Sequence, residues 1–165
     1  MKIGDLITDA EAIAAVEAAG LDLASGKNIN VTSILTANNT WSGLTAIFTA
    51  GAVLALGDIA YVFTDSELYK TDADSAASMP AIAMATCATT DNNPFEFLLI
   101  GFMRFDTWTW TPGSLLYAES DTIGNPGAMT HIAPAGAGDQ VQVVGIAITA
   151  EIVYFNPSFE LVEIA

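Results

Sequence analysis

The sequence predicts a mainly β protein, in which a short N-terminal helix and a neck precede an antiparallel β-sandwich or barrel. Three observations support this prediction. Short apolar segments recur after residue 45, and clusters of Gly, Pro, Asn and Asp separate them, which is the pattern of strands joined by turns. No segment after residue 45 shows the crossover helix that a parallel α/β fold requires. Hydrophobic residues make up 52% of the chain and charged residues 14%, so a sizeable core is possible.

Residues 1–20 are expected to form the helix. Thr8 or Asp9 can cap its first turn and Gly20 can end it, because glycine readily takes the left-handed conformation of a C-terminal cap. A helix this short gains most of its stability from a partner surface, which is either the rest of the same chain or another protein. The apolar residues available for such a contact are Ile13, Val16, Leu21 and Leu23.

Residues 21–45 are predicted to form a neck. Apolar residues alternate with polar ones on either side of Gly26, which indicates a strand, a turn and a second strand. Residues 32–45 are rich in Thr, Asn and Ser, and such a composition is typical of a connecting segment. The β-rich body would then extend over residues 46–165.

Seven strands are predicted in and around this body. Turn residues bound each of them, most clearly at Gly57, at Asn93-Pro94 and at Pro112-Gly113. The run 95–104 is almost continuously apolar, which is typical of a strand that is buried on both faces. The predicted strands cover residues 45–49, 59–64, 81–88, 95–104, 114–119, 141–150 and 152–155.

Two stretches of the body share one layout. The spacing G-x-x-x-Y-x-x-x-D begins at Gly57 and again at Gly113, and each time a strand of small and branched apolar residues follows. We therefore expect a β unit that is used twice. In each copy the Gly would turn the chain, the Tyr would anchor the strand, and the Asp would end it by bonding its own backbone.

The charge of the chain excludes several functions. Four basic residues stand against nineteen acidic ones, and the net charge is −15. Binding to nucleic acid or to an anionic membrane surface depends on Lys and Arg, so neither is expected. No apolar run approaches the roughly 20 residues of a membrane-spanning helix. The surplus of apolar over charged residues indicates a subunit interface instead.

No catalytic centre is predicted, and we expect that the protein is not an enzyme. His131 is the only histidine and has no Asp or Glu close to it in the sequence. Cys87 lies in an apolar segment, so it is expected to be buried. The Asp and Glu residues stand mostly in turn segments, which does not favour a glycoside-hydrolysing pair. Asp72 and Asp74 resemble a fragment of a calcium loop without its Gly and distal Glu, so no metal site and no cofactor are expected.

Trp108 and Trp110 are the best candidates for ligand binding. They lie two residues apart and would face the same side of a strand. Paired exposed aromatic rings can stack on sugars, which would make the protein a carbohydrate-binding adhesin module that recognises a host-surface glycan. The alternative is that both rings cover the edge of the core or a subunit interface, where Trp is common.

Several segments of the chain resemble a module of tailed-bacteriophage virion proteins, which occurs in tail fibres and in capsid fibres or decoration proteins. The resemblance rests on GDIAYV at 57–62, KTDADSAASMPAI at 70–82, QVQVVGIA at 140–147 and IVYFNPS at 152–158. The segment LASGKNI at 23–29 is similar to the necks that precede fibre heads.

The resemblance implies a structural, non-enzymatic protein of the phage virion surface, made in the host cytoplasm. It would be a short trimeric fibre or a capsid decoration protein. Residues 1–20 would anchor it to the particle through the apolar residues of the predicted helix, residues 21–45 would form the neck, and residues 46–165 would form a β-rich knob. Its partners would be further copies of itself and another virion protein, such as the major capsid protein or a tail protein. The matching positions are turn and strand residues, so no catalytic residue is carried over.

Overall fold

The computed structural model describes residues 31–120 and 125–165, which belong to one unit of the fold. The predicted helix at 1–20, its anchor residues Ile13 and Val16, and the part of the neck that holds Leu21 and Leu23 lie outside the described residues. Strands dominate the described part, where the only helical segment is a single 3-10 turn at Ala76–Ser78. The predicted mainly β class is confirmed.

Eleven strands are found in the described residues, and the first begins earlier than predicted. Residues 40–44 belong to β1 and not to a connecting segment, so that part of the prediction is wrong. Their Thr and Ser residues resemble a loop in the sequence, but pairing with β5 along the whole of β1 makes them a strand. The strands are β1 Thr40–Ala50, β2 Ile59–Val62, β3 Leu68–Lys70, β4 Ala83–Ala85, β5 Asn93–Arg104, β6 Leu115–Ala118, β7 Met129–Thr130, β8 Gln140–Val141, β9 Val143–Ala147, β10 Ile152–Phe155 and β11 Val162–Glu163.

Nine of these strands form one mixed sheet, in the order β1-β3-β2-β4-β5-β10-β9-β6-β7. β1 also pairs with β5, so the pairings of β1, β3, β2, β4 and β5 close a ring. β8 and β11 pair with each other. The prediction of a purely antiparallel sheet is wrong, because β1 and β3 run parallel where Ala50 pairs with Leu68. The β2–β3 hairpin reverses the chain and brings β3 to β1 in the same direction.

The glycine turns of the predicted repeat are confirmed by their backbone geometry, whereas Asp121 of the second copy lies outside the described residues. β2 and β6 begin two residues after Gly57 and Gly113, and both glycines have a φ of +85°. The Gly57 amide donates to the Ala85 carbonyl of β4 at 2.9 Å, and the Gly113 amide donates to the Ala147 carbonyl of β9 at 2.8 Å. A left-handed glycine therefore starts each unit in the same way, because any other residue would be strained there.

The two repeated units lie side by side in the sheet. The first consists of β3-β2-β4-β5 and the second of β7-β6-β9-β10, with the same order of pairing in each. β5 and β10 are antiparallel neighbours, with Met103 opposite Val153, and they join the units. The sheet therefore has an approximate two-fold arrangement, to which β1 is added along β5.

Apolar side chains form two clusters, one on each face of β5. Phe97 belongs to one cluster and its neighbour Leu98 to the other, and neither is exposed. Adjacent strand residues point to opposite faces, so β5 is buried on both faces here, as predicted. The ring cluster consists of Ala50, Leu54, Ala60, Leu68, Ala83, Ala85 and Phe97. The central cluster includes Ile59, Met84, Leu98, Met103, Leu116, Val144, Val153 and Phe155.

Gln142 is a fully buried polar residue that the sequence does not single out. Its side-chain oxygen accepts a hydrogen bond from the Ala81 amide at 2.8 Å. Its side-chain nitrogen donates to the Ala81 carbonyl at 2.9 Å and to the Ser158 carbonyl at 2.5 Å. The Gln142 amide thus provides the backbone of Ala81 with the two partners that a neighbouring strand would otherwise supply.

The prediction that Cys87 is buried is wrong. β4 ends at Ala85, and Cys87 lies exposed in the bend that follows, where its side chain has left the pleat of the strand. Over residues 31–120 and 125–165, no helix has the length and apolar character needed to cross a membrane.

Candidate functional site

The two candidate ligand-binding residues lie together in the segment between β5 and β6. The ring centroids of Trp108 and Trp110 are 6.1 Å apart, and the ring planes are tilted by 49°. Their segment is not a strand, contrary to the prediction. Its course is fixed by backbone hydrogen bonds from Trp108 to Phe105 and from Trp110 to Ala150, both of 3.0 Å. The rings are neighbours because of this turn and not because of strand alternation.

Phe105 and His131 extend the pair to a row of four rings. Phe105 contacts Trp108 edge-to-face with centroids 5.6 Å apart, and His131 contacts Trp110 edge-to-face at 6.2 Å. Such contacts favour a fixed orientation of each ring. Both tryptophans are half-buried and pack against the central cluster. They therefore cover the edge of the core and also keep part of their surface accessible.

A cleft of about 290 Å³ lies beside the two tryptophans. Gly57 allows Trp108 to lie close to the backbone, since a Cβ at Gly57 would be 2.9 Å from Trp108 Cζ2. The cleft lies where the two repeated units meet, because its lining comes from the segment before β2 and from the segments around β6 and β7. Its polar lining residues are Asp58, Glu119 and Asn125.

The carboxyl groups of the cleft have different environments. Asp58 accepts a hydrogen bond from the Ala55 amide at 2.7 Å and forms an ion pair with Lys70 at 2.8 Å. Burial raises the pKa of the Glu119 carboxyl above its ordinary value, because the charged form loses contact with water. The sequence could not place Asp58 beside Glu119, because they belong to different repeated units.

Trp110 carries a buried hydrogen-bond donor. Its indole Nε1 has no acceptor among the described residues, although the atom is buried. Buried polar groups in folded proteins almost always have a hydrogen-bond partner. This indole N–H is therefore an exception among the buried polar groups of the described residues.

A second depression, of about 350 Å³, adjoins the cleft at Glu119, which lines both. Thr130 and Ile132 lie on one side of it, next to β7, and Pro134 and Asp139 line it as well. The Asp139 carboxylate accepts a hydrogen bond from the Gly136 amide at 2.8 Å and so holds the loop that forms the wall. The two depressions together offer a longer surface than the cleft alone.

The paired strands β1 and β5 form a second candidate surface, the β1–β5 ribbon. Leu44 is 60% exposed and Ile47 is 67% exposed, and Ile100, which pairs with Leu44, is exposed as well. These side chains lie outside both apolar clusters. The sequence does not mark these residues as a site, although the uncharged stretch in which they lie is visible in it.

Gly43 and Gly101 bring the two strands of the ribbon unusually close. They are paired across β1 and β5, and a Cβ on Gly43 would lie 2.7 Å from the Cα of Gly101. No side chain fits between them. Next to this pair, Leu99 is an extra residue in β5, because Leu44 pairs with Ile100 and the following Thr45 pairs with Leu98. Such a bulge bends the strand and increases its twist.

The calcium-loop fragment forms an ordinary turn. The Asp74 amide donates to the Asp72 carboxylate at 3.0 Å, and the Ser78 hydroxyl donates to the Asp72 carbonyl at 2.9 Å. In the part of the chain that the structure describes, no group of three or more His, Cys, Asp or Glu side chains could hold a metal ion.

Comparison of the chain with models of protein families gives no match, and comparison with curated proteins gives none either. The resemblance to phage virion proteins therefore stays a prediction from the sequence.

Proposed function

We propose that the protein is a structural, non-enzymatic component of a phage virion surface, a short trimeric fibre or a capsid decoration protein, and that the β1–β5 ribbon holds its copies together. The exposed apolar surface of the ribbon is the observation that carries the proposal. The resemblance in sequence to phage virion proteins is the reason for placing the protein on a virion.

The ribbon is a surface at which acidic copies can approach one another. β1 contains no charged residue, in a chain with a net charge of −15. Like-charged proteins repel each other, and the repulsion is weakest where uncharged surfaces meet. On β5, Glu96 accepts a hydrogen bond from the Thr45 hydroxyl at 2.7 Å. Arg104 forms ion pairs with Asp106 and Glu151, each at 2.6 Å.

The outer edge of β1 favours association as well. Within residues 31–120 and 125–165, β1 pairs with β5 on one side, and on the other side only Ala50 pairs, with Leu68 of β3. Edge strands commonly carry Lys or Pro, which prevent pairing with other chains, and β1 has neither. A strand from a second copy would pair there with backbone groups that no described strand pairs with, and apolar side chains would lie beside them.

The two faces of the ribbon suit a closed ring of copies. Side chains alternate along a strand, so Leu44 and Ile47, three residues apart, lie on opposite faces. A trimer with cyclic symmetry uses two different surfaces of each copy, one for each neighbour. Leu44 with Ile100 on one face and Ile47 on the other would supply the apolar contacts of these two surfaces.

Sedimentation velocity with matched variants tests the role of the ribbon. Ile47→Lys places a charge on the ribbon, whereas Ile132→Lys places the same charge at an isoleucine of similar exposure outside it, 69% against 67%. We expect the original protein and Ile132→Lys to sediment as trimers and Ile47→Lys to dissociate. A trimer that persists in Ile47→Lys contradicts the assignment of the interface to the ribbon.

The position on the virion is tested separately. Antibodies against the purified protein, imaged on intact particles by electron microscopy, should label the particle surface. Particles that contain no detectable copy of the chain would contradict the virion part of the proposal, whatever the oligomeric state.

A further inference from the structure

We propose that the cleft beside Trp108 and Trp110 binds a neutral sugar ring of a glycan. This proposal goes beyond the structural role, and neither depends on the other, because the cleft and the ribbon have no exposed residue in common. A protein on a particle surface with such a site would attach the particle weakly to saccharides.

The aromatic lining supplies the apolar contact that a pyranose needs. Sugar rings present a face of C–H groups, and these faces pack on aromatic rings. Trp108 and Trp110 both line the cleft, and their ring centroids are 6.1 Å apart, so a sugar ring in the cleft would pack on two neighbouring indoles. Phe105 and His131 hold the two indoles in place by edge-to-face contacts.

The polar lining supplies hydrogen bonds to the hydroxyl groups of the sugar. Asp58 and Glu119 are acceptors, and Asn125 is both a donor and an acceptor. A few convergent polar groups in a mostly apolar cleft are the usual composition of a small-molecule site.

The charge of the cleft selects for neutral sugars. Asp58 is paired with Lys70, but the described residues that line the cleft include no Lys or Arg, and the whole chain is strongly acidic. A sialic acid, a uronic acid or a sulfated sugar would bring a further negative charge next to Glu119. Such ligands are repelled both by the net charge and by this carboxyl group.

The size of the site favours an oligosaccharide over a single sugar. A volume of about 290 Å³ is at the lower end of ligand sites and accommodates about one ring. The second depression adjoins the cleft at Glu119 and provides room for further units. Longer chains of the same sugar should therefore bind more tightly than the monosaccharide.

Calorimetric titration of the full chain tests the proposal. The probes are the tetrasaccharides of glucose, galactose, mannose and N-acetylglucosamine, with a sialylated and a sulfated oligosaccharide as acidic probes. We expect at least one neutral probe to bind with a Kd of about 1 mM or tighter, and both acidic probes to bind at least about tenfold more weakly. Absence of binding by every neutral probe, or a preference for an acidic one, overturns the proposal.

Three variants locate the binding. Trp110→Phe replaces the indole by a smaller ring with less surface for the sugar, and Glu119→Gln keeps the shape but removes the charge. Each should weaken binding of the neutral probe at least about tenfold. Trp41→Phe is the matched control, because Trp41 packs on the central cluster but does not line the cleft. Unchanged affinity of the Glu119→Gln variant for the neutral probe overturns the assignment of sugar binding to this cleft. This test holds even if the Trp110→Phe variant does not fold.

Discussion

Replacing Gln142 by Leu should lower the free energy of unfolding by about 3 kcal/mol. The change keeps a similar volume but removes two hydrogen bonds to the backbone of Ala81 and one to Ser158. Ala81 is completely buried, so its N–H and C=O would both lose their partners, at about 2 kcal/mol each. Ser158 is only partly buried, so its carbonyl can accept a hydrogen bond from water instead. Burying an apolar side chain in place of an amide stabilises the fold by about 1 kcal/mol, so the net loss in the free energy of unfolding is about 3 kcal/mol.

Urea unfolding followed by circular dichroism measures this loss, and Gln140→Leu is the comparison. Gln140 is also buried, but its side chain donates to Gly138 and Glu163, which are both exposed and can bond to water instead. Gln140→Leu should therefore cost only about 1 kcal/mol. A loss in Gln142→Leu no larger than in Gln140→Leu would refute the view that the Gln142 amide replaces a strand for Ala81.

Three further predictions concern other parts of the chain. Glu119→Gln should raise the melting temperature at neutral pH. Burial raises the pKa of the Glu119 carboxyl, so the original fold loses stability as the pH rises through that raised value, and Gln removes this loss. The gain in melting temperature should vanish below the ordinary pKa of 4.5. Gly43→Ala should cost about 2 kcal/mol in urea unfolding, because the methyl group meets Gly101. A chain that begins at Leu21 should still melt cooperatively as a trimer but no longer bind particles.

Each of these has a contrary outcome. A Glu119→Gln variant that melts like the original at every pH would show that the carboxyl is solvated. A stable Gly43→Ala variant would show that the ribbon strands can separate at no cost. Truncated chains that still decorate particles would place the attachment on the β-rich body and not on residues 1–20.

The repeat could be predicted from the sequence because the backbone demands it. Gly57 and Gly113 start equivalent strands with the same left-handed conformation, and only glycine adopts this conformation without strain. A required residue type at a fixed spacing leaves a visible pattern. The double burial of β5 was predictable for a similar reason, since Phe97 and Leu98 on opposite faces both need to be apolar.

The start of β1 and the role of Gln142 could not be predicted, because both depend on distant residues. Thr40 and Ser42 have side chains typical of a connecting segment, and they become part of a strand only through pairing with β5. Gln142 stands between two strands in the sequence, and its function depends on Ala81, which lies far away in the chain. Contacts of this kind leave no local pattern.

The candidate cleft was predictable in part. The spacing of Trp108 and Trp110 indicated a pair of neighbouring rings, and they are neighbours, although a turn and not a strand brings them together. Asp58 and Glu119 come from different repeated units and meet only in the folded chain. The sequence could therefore indicate the aromatic part of the site but not its polar part.

Self-association is the central claim, and the mass of the full chain in solution tests it most directly. Light scattering coupled to size-exclusion chromatography should give three times the 17.2 kDa of one chain, and the value should stay constant on dilution across the micromolar range. A mass of 17.2 kDa at every concentration would contradict the claim, because the apolar ribbon would then be stable in water without a partner.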